Sequence, residues 1–317
     1  DPGVFRRDGR YYMVVGNSSR QHRQGRAILY GSDDLLRWAY VGTIAADGES
    51  VGYMWECPSL FSLGGSDVLM LSPQGVNADP ACQPGYNSGY FVGRLDVRTG
   101  AYAHGSFRLL DHGFDFYAPQ TTLDASGRRL MVAWMNIWDT PMPTARCQWA
   151  GSMTLPRVLS LENGAVRSRP VQEIERYRKP LFCALNVRVS QLPPLRGRAC
   201  ELLVQVAALD TDVLTLLLFC SADGKEYTAL TYDRRTRRLL LDREHSGEGV
   251  GGTRSVTPEG SAEALELRIF LDRSSVEVFV NDGAYVMTAR VYPRASSDRI
   301  TLRGEGKLRR FELWSLE

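Results

Sequence analysis

Trp55-Glu56-Cys57-Pro58-Ser59-Leu60-Phe61, running through Gly64-Gly65-Ser66-Asp67 into Val68-Leu69-Met70-Leu71, is the stretch that decides the fold. It sets a polar residue beside a proline, then a short extended run, a glycine-rich turn and a strongly apolar strand. The same order of parts occurs twice more. Asp1-Pro2-Gly3-Val4-Phe5 leads through Arg7-Asp8-Gly9-Arg10 into Tyr11 to Val15, and Tyr117-Ala118-Pro119-Gln120-Thr121 leads through Asp124-Ala125-Ser126-Gly127 into Leu130 to Met135. The prolines at 2, 58 and 119 recur at roughly sixty residues, a period somewhat above that of the commonest propeller repeats. The pattern predicts successive blades of a β-propeller, whose first segments converge on a central channel. Asp1 and Glu56, one carboxylate in each of the first two copies, would then face a common cavity.

Three copies are fewer than the about four blades that close a propeller, so the reading is of a partial one, with the remaining blades upstream of Asp1. Helical patterning is nearly absent until Pro170-Val171-Gln172-Glu173-Ile174-Glu175-Arg176-Tyr177-Arg178. Proline at the start, acidic residues early and basic residues late predict a short linker helix over 171–180. Beyond it, alternating runs predict a β-sandwich over 181–317, so that 1–170 is the propeller part. The sharpest pair is Leu265-Glu266-Leu267-Arg268-Ile269-Phe270-Leu271 and Val276-Glu277-Val278-Phe279-Val280, followed by the hairpin turn Asn281-Asp282-Gly283. Its alternation predicts one buried and one solvated face. The fold class expected is therefore all-β.

Composition bounds the partners. A 317-residue chain with 44% hydrophobic and 23% charged residues is long enough for two cores and ordinary in make-up. A net charge of +2 with scattered arginines points to neither nucleic acid nor an anionic membrane. No apolar run is long enough to span a bilayer. The six cysteines form no CxxC pair and have no neighbouring histidine, which argues against a metal site and for reduced thiols in a cytoplasmic setting.

Two carboxylates on one channel are what glycoside hydrolysis requires: one protonates the leaving oxygen, the other attacks the anomeric carbon or activates water. Glu56 follows Trp55, and an aromatic wall disfavours a charged carboxylate, which suits Glu56 to the acid role. Asp111 and Asp115, flanking Gly113, are either loop caps or acceptors for sugar hydroxyls. Trp55, Phe116, Tyr117, Trp134 and Trp138 could stack on sugar faces or fill the core.

With these residues assembled, the chain resembles glycoside hydrolase family 32, the β-fructofuranosidases. Asp1-Pro2-Gly3 resembles the end of the family's Arg-Asp-Pro motif, Trp55-Glu56-Cys57-Pro58 its Glu-Cys-Pro motif, and Leu267 to Gly283 the signature of its C-terminal sandwich. Asp115 to Gln120 and Ala133-Trp134-Met135 are also similar to family segments. The resemblance implies a five-bladed propeller followed by a sandwich, and retaining hydrolysis of sucrose, sucrose 6-phosphate or a related fructoside without cofactor or metal. It implies Glu56 as general acid/base and Asp1 as transition-state stabiliser, with substrate contacts from Tyr117, Trp134, Asp115, Gln120 and Trp55.

The family's nucleophile lies in a Trp-Met-Asn-Asp-Pro-Asn-Gly motif that does not occur in residues 1–317. By this reading the chain alone is inactive. Two other readings stay open: a five-bladed arabinan or xylan glycosidase, and a degenerate carbohydrate-binding relative. The basic loop Arg20, His22 and Arg23 is the candidate for recognising a phosphorylated substrate.

Overall fold

The computed structural model describes residues 1–19, 21, 24–45, 51–76, 85–260 and 265–317. Arg20, His22, Arg23 and Cys82 lie outside the described residues. The chain is all-β, and its contacts divide it into two compact units. Unit 1 comprises residues 1–111, 116–134 and 156–167; unit 2 comprises 112–115, 135–155 and 168–317.

Three antiparallel sheets follow one another in chain order, each opened by one copy of the proline motif. The first is β1 (Gly3–Arg7), β2 (Arg10–Ser18), β3 (Gly25–Ser32) and β4 (Ala39–Ala45), paired in that order. The second holds β5 (Met54–Leu63), β6 (Ser66–Val76), β7 (Gly85–Tyr86), β8 (Gly89–Leu95), β9 (Tyr102–His104) and β10 (Arg108–Leu109), with the path β10-β8-β6-β5. The third is β11 (Tyr117–Leu123), β12 (Arg129–Trp134), β13 (Arg157–Glu162) and β14 (Ala165–Pro170). The tight turns are local chemistry. Asp8-Gly9 and Gly64-Gly65 close two-residue hairpins with φ of 50° and 81°, and 56° and 80°, the left-handed pair that matches the twist of a β-ribbon.

Each junction between successive sheets in unit 1 has its own apolar core. Val14, Leu29, Trp55, Leu69 and Phe91 fill the first junction, and Phe61, Met70, Tyr90, Met131 and Ala133 the second. Burying each such side chain is worth about 1.5–3 kcal/mol, so every sheet depends on its neighbour for its stability.

Unit 2 holds the sandwich: β15 (Lys179–Arg188), β16 (Leu195–Arg196), β17 (Ala199–Leu209), β18 (Val213–Cys220), β19 (Thr228–Asp233), β20 (Arg238–Asp242), β21 (Thr253–Val256), β22 (Glu266–Asp272), β23 (Ser275–Val280), β24 (Tyr285–Arg290), β25 (Arg299–Arg303) and β26 (Gly306–Ser315). They form two six-stranded sheets, β15-β26-β17-β22-β23-β24 and β16-β25-β18-β19-β20-β21. One core takes Leu202, Val204, Ile269 and Val278 from the first sheet and Leu216, Leu218, Leu239 and Leu241 from the second, as the alternation requires. The stretch read as a linker helix is a 3-10 helix, Gln172–Tyr177.

The second face of β22 and β23 is not solvated. Glu201, wholly buried on β17, accepts Nε–H of Arg178 at 2.7 Å and is also ion-paired to Arg268, while Glu175 of the 3-10 helix meets both arginines at 3.3 Å. Phe270, Phe279 and Val286 pack against Leu155, Ile174 and Leu316. Period-two alternation reports which residues share a face but cannot tell water from a covering segment of chain.

Asp111 and Asp115 are held in buried ion pairs and are not open to solvent. In unit 1, Asp111 is ion-paired to fully buried Arg157 at 3.1 Å. In unit 2, Asp115 has no exposed surface. Its Oδ2 accepts from Arg243 NH1 at 2.7 Å and from the Arg290 backbone N–H at 2.8 Å, and its Oδ1 accepts from Arg290 Nε at 2.9 Å. Arg243 in turn lies 3.9 Å from the centre of the Phe114 ring. Removing the carboxylate strands two buried guanidiniums, so Asp115→Ala is expected to cost about 3–5 kcal/mol in urea unfolding, far more than an exposed control such as Asp33→Ala.

Candidate active site

Glu56 and Tyr117 stand at the same point of the repeat, immediately before the residue that precedes proline. The pairing of β5 with β6 runs Trp55 with Pro73 and Glu56 with Ser72, then jumps to Ser59 with Met70. The pairing of β11 with β12 runs Tyr117 with Trp134, then jumps to Gln120 with Val132. Both jumps are β-bulges, and in both the pre-proline residue sits in the left-handed region, Cys57 at φ 47° and Ala118 at φ 50°. Such a conformation in a non-glycine residue costs on the order of 1–2 kcal/mol, and proline further restricts its predecessor. The bulge re-aims the side chain just before it.

The two re-aimed side chains meet. The Tyr117 hydroxyl donates to Glu56 Oε2 at 2.7 Å. Tyr117 is 1% exposed, while Glu56 remains half-buried. Burial first, and then the bond to Glu56, hold the phenol far above its ordinary range, so it stays protonated and acts as a fixed donor to the carboxylate. The pair is braced from behind. Buried Ser72 accepts from the Ala118 backbone N–H at 3.1 Å and is 2.8 Å from the hydroxyl of buried Ser88, and the Tyr86 ring packs edge-on against Tyr117 at 5.6 Å. Sequence reasoning missed Ser72, Ser88 and Tyr86. They lie outside the repeated motif, and only the strand register brings them in.

Asp1 arrives from the neighbouring sheet. A Cβ built on Gly3 would meet the Pro58 carbonyl at 2.5 Å, and one on Gly16 would meet the Trp55 carbonyl at 1.8 Å. The first sheet is therefore seated directly on the Glu56 bulge. Burial pushes the Cys57 thiol up, and the Glu56 carboxylate adds to this. Asp1 itself is exposed, two residues before β1.

Trp134, half-buried, pairs with Tyr117 across β11 and β12. Gln120 is exposed past the bulge and lines a cavity of about 800 Å³ with Gly3, Ser59 and Arg129. Trp55 is not a wall for Glu56. Its indole is 1% exposed, donates to the Val51 carbonyl at 2.8 Å and packs in the core with Phe91, because neighbouring residues of a strand point to opposite faces.

This arrangement has relatives. Residues 1–170 match the sequence model of the Glycosyl hydrolases family 32 N-terminal domain, and residues 173–315 match that of the Glycosyl hydrolases family 32 C terminal domain. The chain belongs to glycosyl hydrolase family 32. It is 38% identical over 300 residues to the sucrose-6-phosphate hydrolase of Staphylococcus xylosus, covering 92% of this chain and 60% of that one. Among solved structures it superposes on the sucrose-6-phosphate hydrolase of Lactobacillus gasseri with a TM-score of 0.90 at 29% identity, covering 100% of this chain and 66% of the other. It superposes on a point mutant of the family 32 beta-fructofuranosidase of Bombyx mori in complex with sucrose at 0.79 and 30% identity, covering 99% and 64%. The chain therefore spans somewhat less than two thirds of these relatives. The family is a propeller-and-sandwich one, and the three successive sheets and two facing sheets seen here are its parts.

The close seat at Gly16 gives a direct test of how the family 32 motif is held. Gly16→Ala is expected to destabilise the chain by about 1–3 kcal/mol in urea, since backbone must move. Gly105→Ala, whose nearest neighbour would lie at 4.0 Å, should change it by no more than about 0.5 kcal/mol.

Proposed function

We propose that this chain is the acid/base-bearing part of a retaining β-fructofuranosidase acting on sucrose, sucrose 6-phosphate or a short fructan. The observation that carries the reading is the 2.7 Å hydrogen bond from the Tyr117 hydroxyl to Glu56 at the Glu-Cys-Pro bulge. It holds the carboxyl of Glu56 in one orientation while leaving it half-exposed to a substrate. The names of the relatives support the choice of substrate class, and the sucrose complex of the Bombyx mori protein supports it further.

In the mechanism proposed, Glu56 gives its proton to the leaving glycosidic oxygen and then, as a base, takes one from the incoming water. Asp1 accepts hydrogen bonds from fructose hydroxyls, which strengthen as charge develops at the anomeric carbon. Trp134 walls the fructose ring, and Tyr117 keeps Glu56 aimed. A retaining reaction also needs a nucleophilic carboxylate ~5–5.5 Å from the acid. The Trp-Met-Asn-Asp-Pro-Asn-Gly motif that supplies it in the family does not occur in these 317 residues. We therefore place the nucleophile on a polypeptide segment other than 1–317 and take this stretch to be inactive by itself. A cytoplasmic setting belongs to the same proposal.

The test is sucrose hydrolysis by residues 1–317 alone and by the gene product extended upstream. The first should give no fructose above background. An extended product carrying the Asn-Asp-Pro motif should release fructose with retention, and Glu56→Gln within it should lower kcat by about 10²–10⁴. Clear turnover by 1–317 alone, release of arabinose or xylose in preference to fructose, or full activity of the Glu56→Gln variant would each defeat the proposal.

A further inference from the structure

A groove of about 830 Å³ is formed entirely by residues of unit 2, whereas Glu56 and Tyr117 belong to unit 1. Its size is within the roughly 300–1,000 Å³ of ordinary ligand clefts. The base is built and fixed. Buried Glu226 accepts from the Ser297 hydroxyl and from the Arg294 backbone N–H at 3.1 Å, and Arg198 donates to the carbonyls of Arg294 and Ser297. At the rim Arg146 is ion-paired to Glu248 at 2.8 Å.

The walls carry polar groups with nothing to bond. Trp149 is 49% exposed, and among the described residues its ring touches no other ring and its indole N–H has no acceptor. The exposed Glu244 carboxylate has no donor among them either. The His245 ring lies against Tyr227 at 5.0 Å with both ring nitrogens unbonded. An open aromatic face, a free donor, a free acceptor and an imidazole that can be either thus converge on one groove.

The charge of the lining selects the ligand. Five basic side chains line it with Glu226, Glu244 and Glu248. Arg146 is paired with Glu248, Arg294 with Glu226 and Arg273 with Glu317, and Arg198 is bonded to backbone carbonyls. An anion would therefore meet the Glu244 carboxylate and a cation the Lys225 ammonium. A neutral polyhydroxyl molecule meets neither penalty, because its hydroxyls both donate and accept. Its C–H faces suit an indole, which presents apolar area with a polar edge.

We propose that this groove is a second, non-catalytic binding site for a neutral oligosaccharide, stacked on Trp149 and bonded through its hydroxyls to Glu244 and His245. The inference does not depend on the reaction proposed for Glu56.

Titration calorimetry of residues 1–317 with maltotetraose, a neutral tetrasaccharide without fructose, tests it, with glucose 6-phosphate as the charged comparison. One saturable site for maltotetraose is expected. Trp149→Ala should weaken it about fivefold or more, and Glu244→Ala about threefold. Both side chains are exposed, so folding should be retained, as circular dichroism would check; Glu244→Ala keeps the test open if Trp149→Ala does not fold. Glu56→Gln should leave the binding unchanged. No saturable binding up to the solubility of the sugar, full affinity in both groove variants, loss of binding in Glu56→Gln, or tighter binding of glucose 6-phosphate than of maltotetraose would overturn the proposal.

Discussion

The interaction on which the candidate site rests is the strained backbone before each repeated proline. A residue other than glycine in the left-handed region, followed by proline, is costly, and here it occurs at Cys57 and again at Ala118. At each bulge two residues oppose one across the ladder, and the side chain just before them turns out of the regular alternation. That is why Glu56 and Tyr117, which stand 61 positions apart, meet at 2.7 Å. A flat pair of strands would have sent both along the usual pleat.

The strain is tolerated because the surroundings leave no alternative. Ser72 bonds the backbone of Ala118, Gly3 and Gly16 admit the Pro58 and Trp55 carbonyls at distances no side chain would permit, and Trp55 is locked into the junction core behind. The two faces of one strand differ: Trp55 is buried in the junction core, and Glu56, one residue on, is half-buried and bonded to Tyr117. In unit 2 the equivalent anchors are buried ions, Asp115 with its two arginines and Glu201 with Arg178 and Arg268.

Much of this was legible in the sequence because the signals are local. A proline beside a polar residue, a two-residue turn and an apolar strand are all read within about fifteen residues, so the three sheets and the hairpin of β22 and β23 follow directly. The motifs of the family likewise sit in unbroken stretches. What failed was whatever depends on distant partners. Asp115 looked like a sugar ligand since nothing near it in sequence reveals Arg243, 128 positions on, or Arg290, 175 positions on. Trp55 looked like the wall of Glu56 since adjacency in sequence is the opposite of adjacency on a strand. Ser72, Ser88 and Tyr86 carried no signal at all, because their place behind Tyr117 is set by register.

If the left-handed residue is what aims Glu56, the side chain tolerated at position 57 should follow backbone conformation and not volume. The most direct measurement is the urea-unfolding free energy of Cys57→Gly against Cys57→Val. Glycine enters the left-handed region freely and valine, branched at Cβ, is strongly opposed, so the glycine variant should be the more stable by about 1–2 kcal/mol despite its greater freedom when unfolded. Equal stability of the two, or a more stable valine variant, would show that position 57 is extended and that the bulge does not place the candidate acid.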